Sequence, residues 1–277
     1  MVGCLVLPYF YTEAEMQRRP HPGASSRASS RASLSGRPVA IHARGRVSAL
    51  SPEAEEAGLR PDMSLSQARA VCPGAEFLPY DEDLYRAAQG RALDLCATYV
   101  STIEPLSPHE IFLGLTGAGD PPRITAEIAG ALRAQAGFTC QTGVGPTKLV
   151  ARIAALKRPG TVVPRGQEAR FLAPLPLSRL WLLDEGTIEH LEALGITTIG
   201  LLQQTPITHL VERFGRMGRR LSELAFGVDR SPVRACYPSP VVEARLALAG
   251  GVEEMTVLES ALRRLASDPL RSRRGGL

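Results

Sequence analysis

Two adjacent residues, His109 and Glu110, stand where two short strands meet in LSPHEIFLGLTG (106–117). An apolar strand over 111–115 leads away from them. Metal-assisted chemistry at such a turn would want carboxylate oxygens, and one of the two groups is an imidazole. Neighbours on a strand also point to opposite faces, so the pair would chelate one ion only if the turn rearranged them. A satisfied surface histidine is the simpler account.

The cations raise a second possibility. Thirty arginines face only two lysines, Lys148 and Lys157, which lie nine residues apart in GVGPTKLVARIAALKRPG. Residues 17–48 contain seven arginines and no acid. Arg213, Arg216, Arg219 and Arg220 form a second cluster, and Arg271, Arg273 and Arg274 a third. Such clusters suit a polyanion, although a solvated basic face would look the same, and charge alone does not name DNA.

The elements that must position these groups fall into two or three domains, as expected for 277 residues. The composition, 44% hydrophobic and 22% charged with a net charge of +4, is that of an ordinary globular chain. No apolar run approaches the roughly 20 residues that cross a bilayer. Met1–Leu7 lacks a basic leader and stops at Pro8, so it reads as a first strand rather than a signal peptide. Five scattered cysteines, never spaced C-x-x-C, indicate a reduced, cytoplasmic protein without structural zinc.

A strand over 2–7 and a helix over 12–19 open the chain. GASSRASSRASLSG (23–36) is low in complexity and reads as a disordered loop. Strands follow at 38–42 and 46–50. Ser51 as N-cap and Pro52 at the first helical position start a helix. Helices at 64–72, 81–99 and 121–136, a helix from Pro146, and strands at 75–79, 100–106, 110–115 and 138–144 complete an α+β region. Its order predicts a split βαβ sheet. From 167 to 235 the pattern is wholly helical, and L-x-x-L-G-I-x-T-I at 191–199 resembles a helix-hairpin-helix. A strand at 241–248 and a helix at 253–267 close the chain.

These pieces, in this order, resemble the Y-family translesion DNA polymerases of the UmuC/DinB kind. VLPYFYTEAE (6–15) resembles the first palm strand, D-x-D-x-F-F/Y-x-x-V-E. PVAIHARGRVSALSPEAEEAGLRPDMSLSQARAVCP (38–73) resembles the fingers, IEPLSPHEIFLGLTG (103–117) the second catalytic motif, and GFTCQTGVGPTKLVARIAALKRPGTVVP (137–164) the rest of the palm. Residues 175–234 resemble the thumb. The resemblance implies a palm over 1–22 and 75–166, and fingers over 23–74 with the insert 23–36. It also implies a helical thumb over 167–237 and a truncated little finger over 238–277, whose half sheet would be covered by a partner or loosely ordered.

The departures from that pattern bear on chemistry. Polymerisation needs two Mg²⁺ ions clamped between carboxylates. The family's acids fall here on Val6, Pro8, His109 and Gly114, leaving Glu110 alone, so Mg²⁺ binding is expected to be lost and no cofactor is expected. The nucleotide site is degraded too: Pro52 and Glu55 replace the Tyr and Arg that contact the triphosphate, with Glu53 and Glu56 beside them. Phe10 and Tyr11 keep the aromatic pair, Tyr11 at the sugar-gate position, with core packing as the stronger role for both rings. Lys148, Lys157, Arg158, Gly186, Thr187 and Arg216 match positions that would touch DNA phosphates. At the thumb hairpin, Leu182 and Asp184 replace the family's Gly-x-Gly, so its fold is better supported than its grip on DNA. No sliding-clamp peptide of the Q-x-x-L-F/W kind is present; QQTPI does not satisfy it.

The leading expectation is a non-catalytic relative, similar to ImuB-type accessory subunits. It would bind primer-template DNA through phosphates and work beside a replicative-type polymerase or another mutagenesis subunit. An active polymerase, with Glu13, Glu15 or Glu104 helping Glu110, is a second reading, and a truncated remnant a third.

Overall fold

The structure, a computed structural model of the chain, describes residues 1–18 and 34–237, with Met255, Glu259, Ser260, Leu262 and Arg263 as further helical positions. The chain divides into two units, Met1–Pro238 and Ser239–Leu277. Most of the insert 23–36, the expected strand at 241–248, most of the expected helix at 253–267 and the third arginine cluster lie outside the described residues.

The first unit is organised on a five-stranded sheet ordered β5-β6-β1-β7-β8. Its strands are β1 (Val2–Val6), β5 (Ile103–Ser107), β6 (Glu110–Gly114), β7 (Gln141–Gly145) and β8 (Thr161–Val162). β1 is central and antiparallel to both β6 and β7. Its uninterrupted apolar sequence follows from burial on two faces. Leu5 and Leu7 enter the main core with Phe10, Ile111, Leu113 and Phe138. Cys4 and Val6 enter a smaller cluster with Phe112, Ala151 and Ala155.

Helices α4 (Glu82–Ala97) and α5 (Pro121–Ala136) contribute to the main core, and α6 (Lys148–Lys157) to the smaller one. Each has its own start signal. Asp81, Asp120 and Thr147 accept hydrogen bonds from the N–H groups of Leu84, Arg123 and Val150, respectively. α6 lies so close to β7 that a Cβ on Gly143 would come within 2.2 Å of the Ala155 nitrogen. Only glycine permits that approach, and it fixes where the helix side chains fall over the sheet.

Helix α1 (Phe10–Met16) begins two residues before the expected start, because Phe10 and Ala14 face the core. A second sheet, ordered β3-β2-β4, comprises β2 (Val39–Ala43), β3 (Arg46–Leu50) and β4 (Glu76–Pro79). Arg44 and Gly45, both at positive φ, make the tight β2–β3 turn. β4 pairs in parallel with β2, so the strand placed by sequence at the start of the second palm segment joins the sheet of β2 and β3 instead. Helices α2 (Pro52–Glu56) and α3 (Leu65–Val71) start as expected, on Ser51 and on a Ser64–Gln67 capping box.

The helical region contains α7 (Glu168–Leu172), a 3₁₀ turn (Leu177–Arg179), α8 (Glu185–Ala193), α9 (Ile199–Gln204), α10 (Ile207–Phe214) and α11 (Arg216–Ala225). Gly195, at φ +81, turns α8 into α9, which Thr198 caps, giving the expected helix-hairpin-helix. Beyond it the chain returns to the sheet: Cys236 and Tyr237 donate their N–H groups to the Ile103 carbonyl on β5.

Candidate functional site

Val6 and Glu110 are cross-strand partners at one end of the sheet. Val6 packs against the α6 residues Ala151 and Ala155. Glu110 is buried and accepts two hydrogen bonds from Arg152, from Nε and Nη2, each 2.8 Å long. The Arg152 guanidinium also lies over the Trp181 ring, 5.1 Å from its centroid. Trp181 stacks on Phe112 at 6.2 Å. One helical turn before Arg152, Lys148 lies over Phe112 and donates to both oxygens of Glu104, at 2.8 and 2.7 Å. Glu104 further accepts the Arg234 N–H at 2.7 Å. Both carboxylates on this side of the sheet are therefore neutralised by tethered cations.

His109 does not join them. Its carbonyl accepts the Leu7 N–H at 2.8 Å, and its ring lies 5.8 Å from that of Tyr11. Burial holds its pKa below the ordinary histidine value, so the ring is neutral at neutral pH. At Gly114 a Cβ would meet Thr102 at 2.8 Å, leaving no room for an acid without rearrangement. Glu13 accepts the Thr139 N–H, and Glu15 accepts the Tyr85 hydroxyl proton at 3.2 Å. The helpers required by a rearranged metal site are thus engaged separately, and Glu104 is paired with Lys148. Among the described residues no three His, Cys, Asp or Glu side chains are gathered as a metal site. A neutral imidazole and one ion-paired carboxylate do not fit a pair of Mg²⁺ ions.

The carboxylates of α2 act on Tyr9, the residue before α1. The Tyr9 hydroxyl pKa is raised first by burial and then by the carboxylates of Glu55, Glu13, Glu56 and Glu53. A polyphosphate approaching Pro52 and Glu55 would meet that negative field. Tyr11 is half-buried and edge-on to Tyr85, with ring centroids 4.9 Å apart, and it also neighbours Tyr80. Phe10 is wholly buried.

The expected phosphate contacts separate into two groups. Lys148 is only 6% exposed and is consumed by Glu104. Lys157, Arg158 and Arg216 are exposed, with Lys157 resting over the Phe171 ring at 5.0 Å. Gly186 and Thr187 lie in the first turn of α8, but Asp184 accepts both the N–H and the hydroxyl proton of Thr187, at 2.9 and 2.7 Å. Those hydrogen bonds lower the Asp184 pKa, so a carboxylate occupies the helix start where an anion would bind.

Residues 7–156 match the sequence profile described as the impB/mucB/samB family. The chain belongs to that family. It is 34% identical over 239 residues to a protein named DNA polymerase IV from Neisseria meningitidis serogroup B, covering 82% of this chain and 70% of the relative. It is 31% identical over 272 residues to a DNA polymerase IV from Methanoculleus marisnigri, covering 94% and 72%. For a second meningococcal DNA polymerase IV, of serogroup A, the covered share of the relative is 64%. The chain therefore spans about two thirds of the length of these relatives. Among solved structures, an insertion ternary complex of Dbh DNA polymerase aligns at a TM-score of 0.71 and 22% identity, covering 84% of this chain and 69% of that one. DinB from Sulfolobus solfataricus aligns at 0.68 and 22% identity, covering 84% and 68%. The Y-family likeness read from the sequence is borne out for family and fold.

Sequence reasoning missed Arg152 and Trp181. A signal for the first existed: Arg152 follows Lys148 by four residues and therefore shares its helix face. Nothing local to Trp181 indicated that it would meet β6.

Proposed function

We propose that this member of the family is a non-catalytic subunit in translesion synthesis and DNA repair that holds primer-template DNA through its phosphates or scaffolds a partner. The observation that carries this reading is the fate of Glu110. The one acid remaining at the family's metal positions is bound in two places by Arg152, while Val6, Pro8, His109 and Gly114 stand at the others. The carboxylates around Tyr9 add a second obstacle, opposing the triphosphate. Exposed Lys157, Arg158 and Arg216 supply phosphate contacts that need no chemistry. A replicative-type polymerase or another mutagenesis subunit would then extend the primer. Five free thiols support a reducing, cytoplasmic setting.

A second reading, an active polymerase, draws support from relatives named DNA polymerase IV. One experiment separates the two. Fluorescence anisotropy on a primer-template duplex, titrated with salt, is paired with primer extension in Mg²⁺ and in Mn²⁺. Salt-sensitive binding without extension supports the subunit reading. Extension of any strength, abolished by a substitution within the chain's own site, overturns it.

A further inference from the structure

We infer that the ladder of Glu110, Arg152, Trp181, Phe112, Lys148 and Glu104 is a latch that locks the helical region and the segment after it onto the sheet. With Arg234, whose N–H also reaches Glu104, its members come from five parts of the chain. Glu104 belongs to β5, Glu110 and Phe112 to β6, and Lys148 and Arg152 to α6. Trp181 lies between the 3₁₀ turn and α8, and Arg234 follows α11. Each rung joins two regions. Arg152 donates from Nε and Nη2 to the sheet carboxylate Glu110 and lies over the helical-region ring Trp181. Glu104 accepts from Lys148 on one side and from the Arg234 N–H on the other.

Phe112 and Trp181 stack between the two cations and connect the rungs. The Trp181 indole N–H is buried without a hydrogen-bond partner among the described residues. The ring is therefore held by its faces and not by its polar edge. Guanidinium suits this place better than ammonium, since its plane pairs a carboxylate edge-on while stacking on an aromatic face. The latch also closes the side of the sheet that carries Val6 and Glu110. It fixes the spacing between exposed Lys157 and Arg158 at the end of α6 and Arg216 on α11; the use of that spacing on DNA rests on the proposed function, but the latch does not.

Trp181 is the chain's only tryptophan, so its emission reports the latch directly. The experiment compares wild type, Arg152→Met and Arg152→Lys by intrinsic fluorescence and by hydrogen exchange over 177–193, with α4 and α5 as internal reference. Arg152→Met is expected to shift Trp181 emission to the red and to speed exchange over 177–193 about tenfold or more relative to the reference, the scale of a lost desolvated cation–π contact. Arg152→Lys is expected to fall between the two. Unchanged emission and unchanged relative exchange in a folded Arg152→Met protein would overturn the latch. Should Arg152→Met not fold, Glu104→Gln tests the other rung: exchange over 229–237 rises if the latch is real, and an unaltered pattern overturns it. Neither readout involves DNA or extension, so failure of the proposed function leaves this test standing.

Discussion

Lys148 and Lys157 look equivalent in the sequence, and replacing each by methionine should separate them sharply. The Lys148 side chain is 8% exposed and makes two short hydrogen bonds to Glu104, itself 18% exposed. Removing one partner of a buried pair costs about 3–5 kcal/mol. Glu104 keeps the Arg234 N–H and some solvent, so about 2–3 kcal/mol is expected for Lys148→Met. No change is expected in the salt dependence of DNA binding, because this ammonium has no free face for a phosphate. Lys157→Met removes an exposed cation and should alter stability by less than about 0.5 kcal/mol. Loss of one phosphate contact lowers the slope of log affinity against log salt by about 0.9, about a threefold difference across a fourfold range of salt. Urea unfolding measures the first quantity and salt-titrated anisotropy the second. A Lys148→Met protein of unchanged stability whose slope falls by about one would refute the assignment of that lysine to the interior.

Three other substitutions probe the fold and the proposed absence of polymerisation. Gly143→Ala would drive a methyl group into the α6 backbone, so a loss of about 3 kcal/mol or more in urea unfolding is expected; a change below about 1 kcal/mol would show that the helix can lift away. His109 has a folded pKa below its unfolded value of about 6.5, so the unfolded chain takes up the proton first. Stability should fall as pH drops through that value toward the lower folded one, and His109→Gln should lose this part of the pH dependence; parallel curves for the two proteins would contradict the burial of the ring. His109→Asp alone should yield no Mg²⁺-dependent primer extension, since Arg152 still holds Glu110 and Val6 still stands opposite; extension by that variant would show that a single carboxylate suffices.

Several features were legible because the interactions that make them are local. Ser51 before Pro52 announces a helix start, and the L-x-x-L-G-I-x-T-I spacing around Gly195 a helical hairpin, through contacts a few residues long. The order of the motifs gave the family. β4 was misplaced because its local pattern says strand but not which sheet; pairing with β2 is a long-range choice.

The sequence alone therefore determined the element order, the family and the absence of acids at Val6, Pro8, His109 and Gly114, since residue identity needs no geometry. What became of the charges that remain was decided only in three dimensions. Glu110 meets Arg152 across 42 residues, Lys148 meets Glu104 across 44, and Arg234 reaches Glu104 across 130. No periodicity encodes such partners. They meet because Gly143 lets α6 settle on β7 and because the chain beyond α11 returns to β5. That packing turns Lys148 from an apparent DNA contact into an interior counter-ion and leaves Lys157 at the surface.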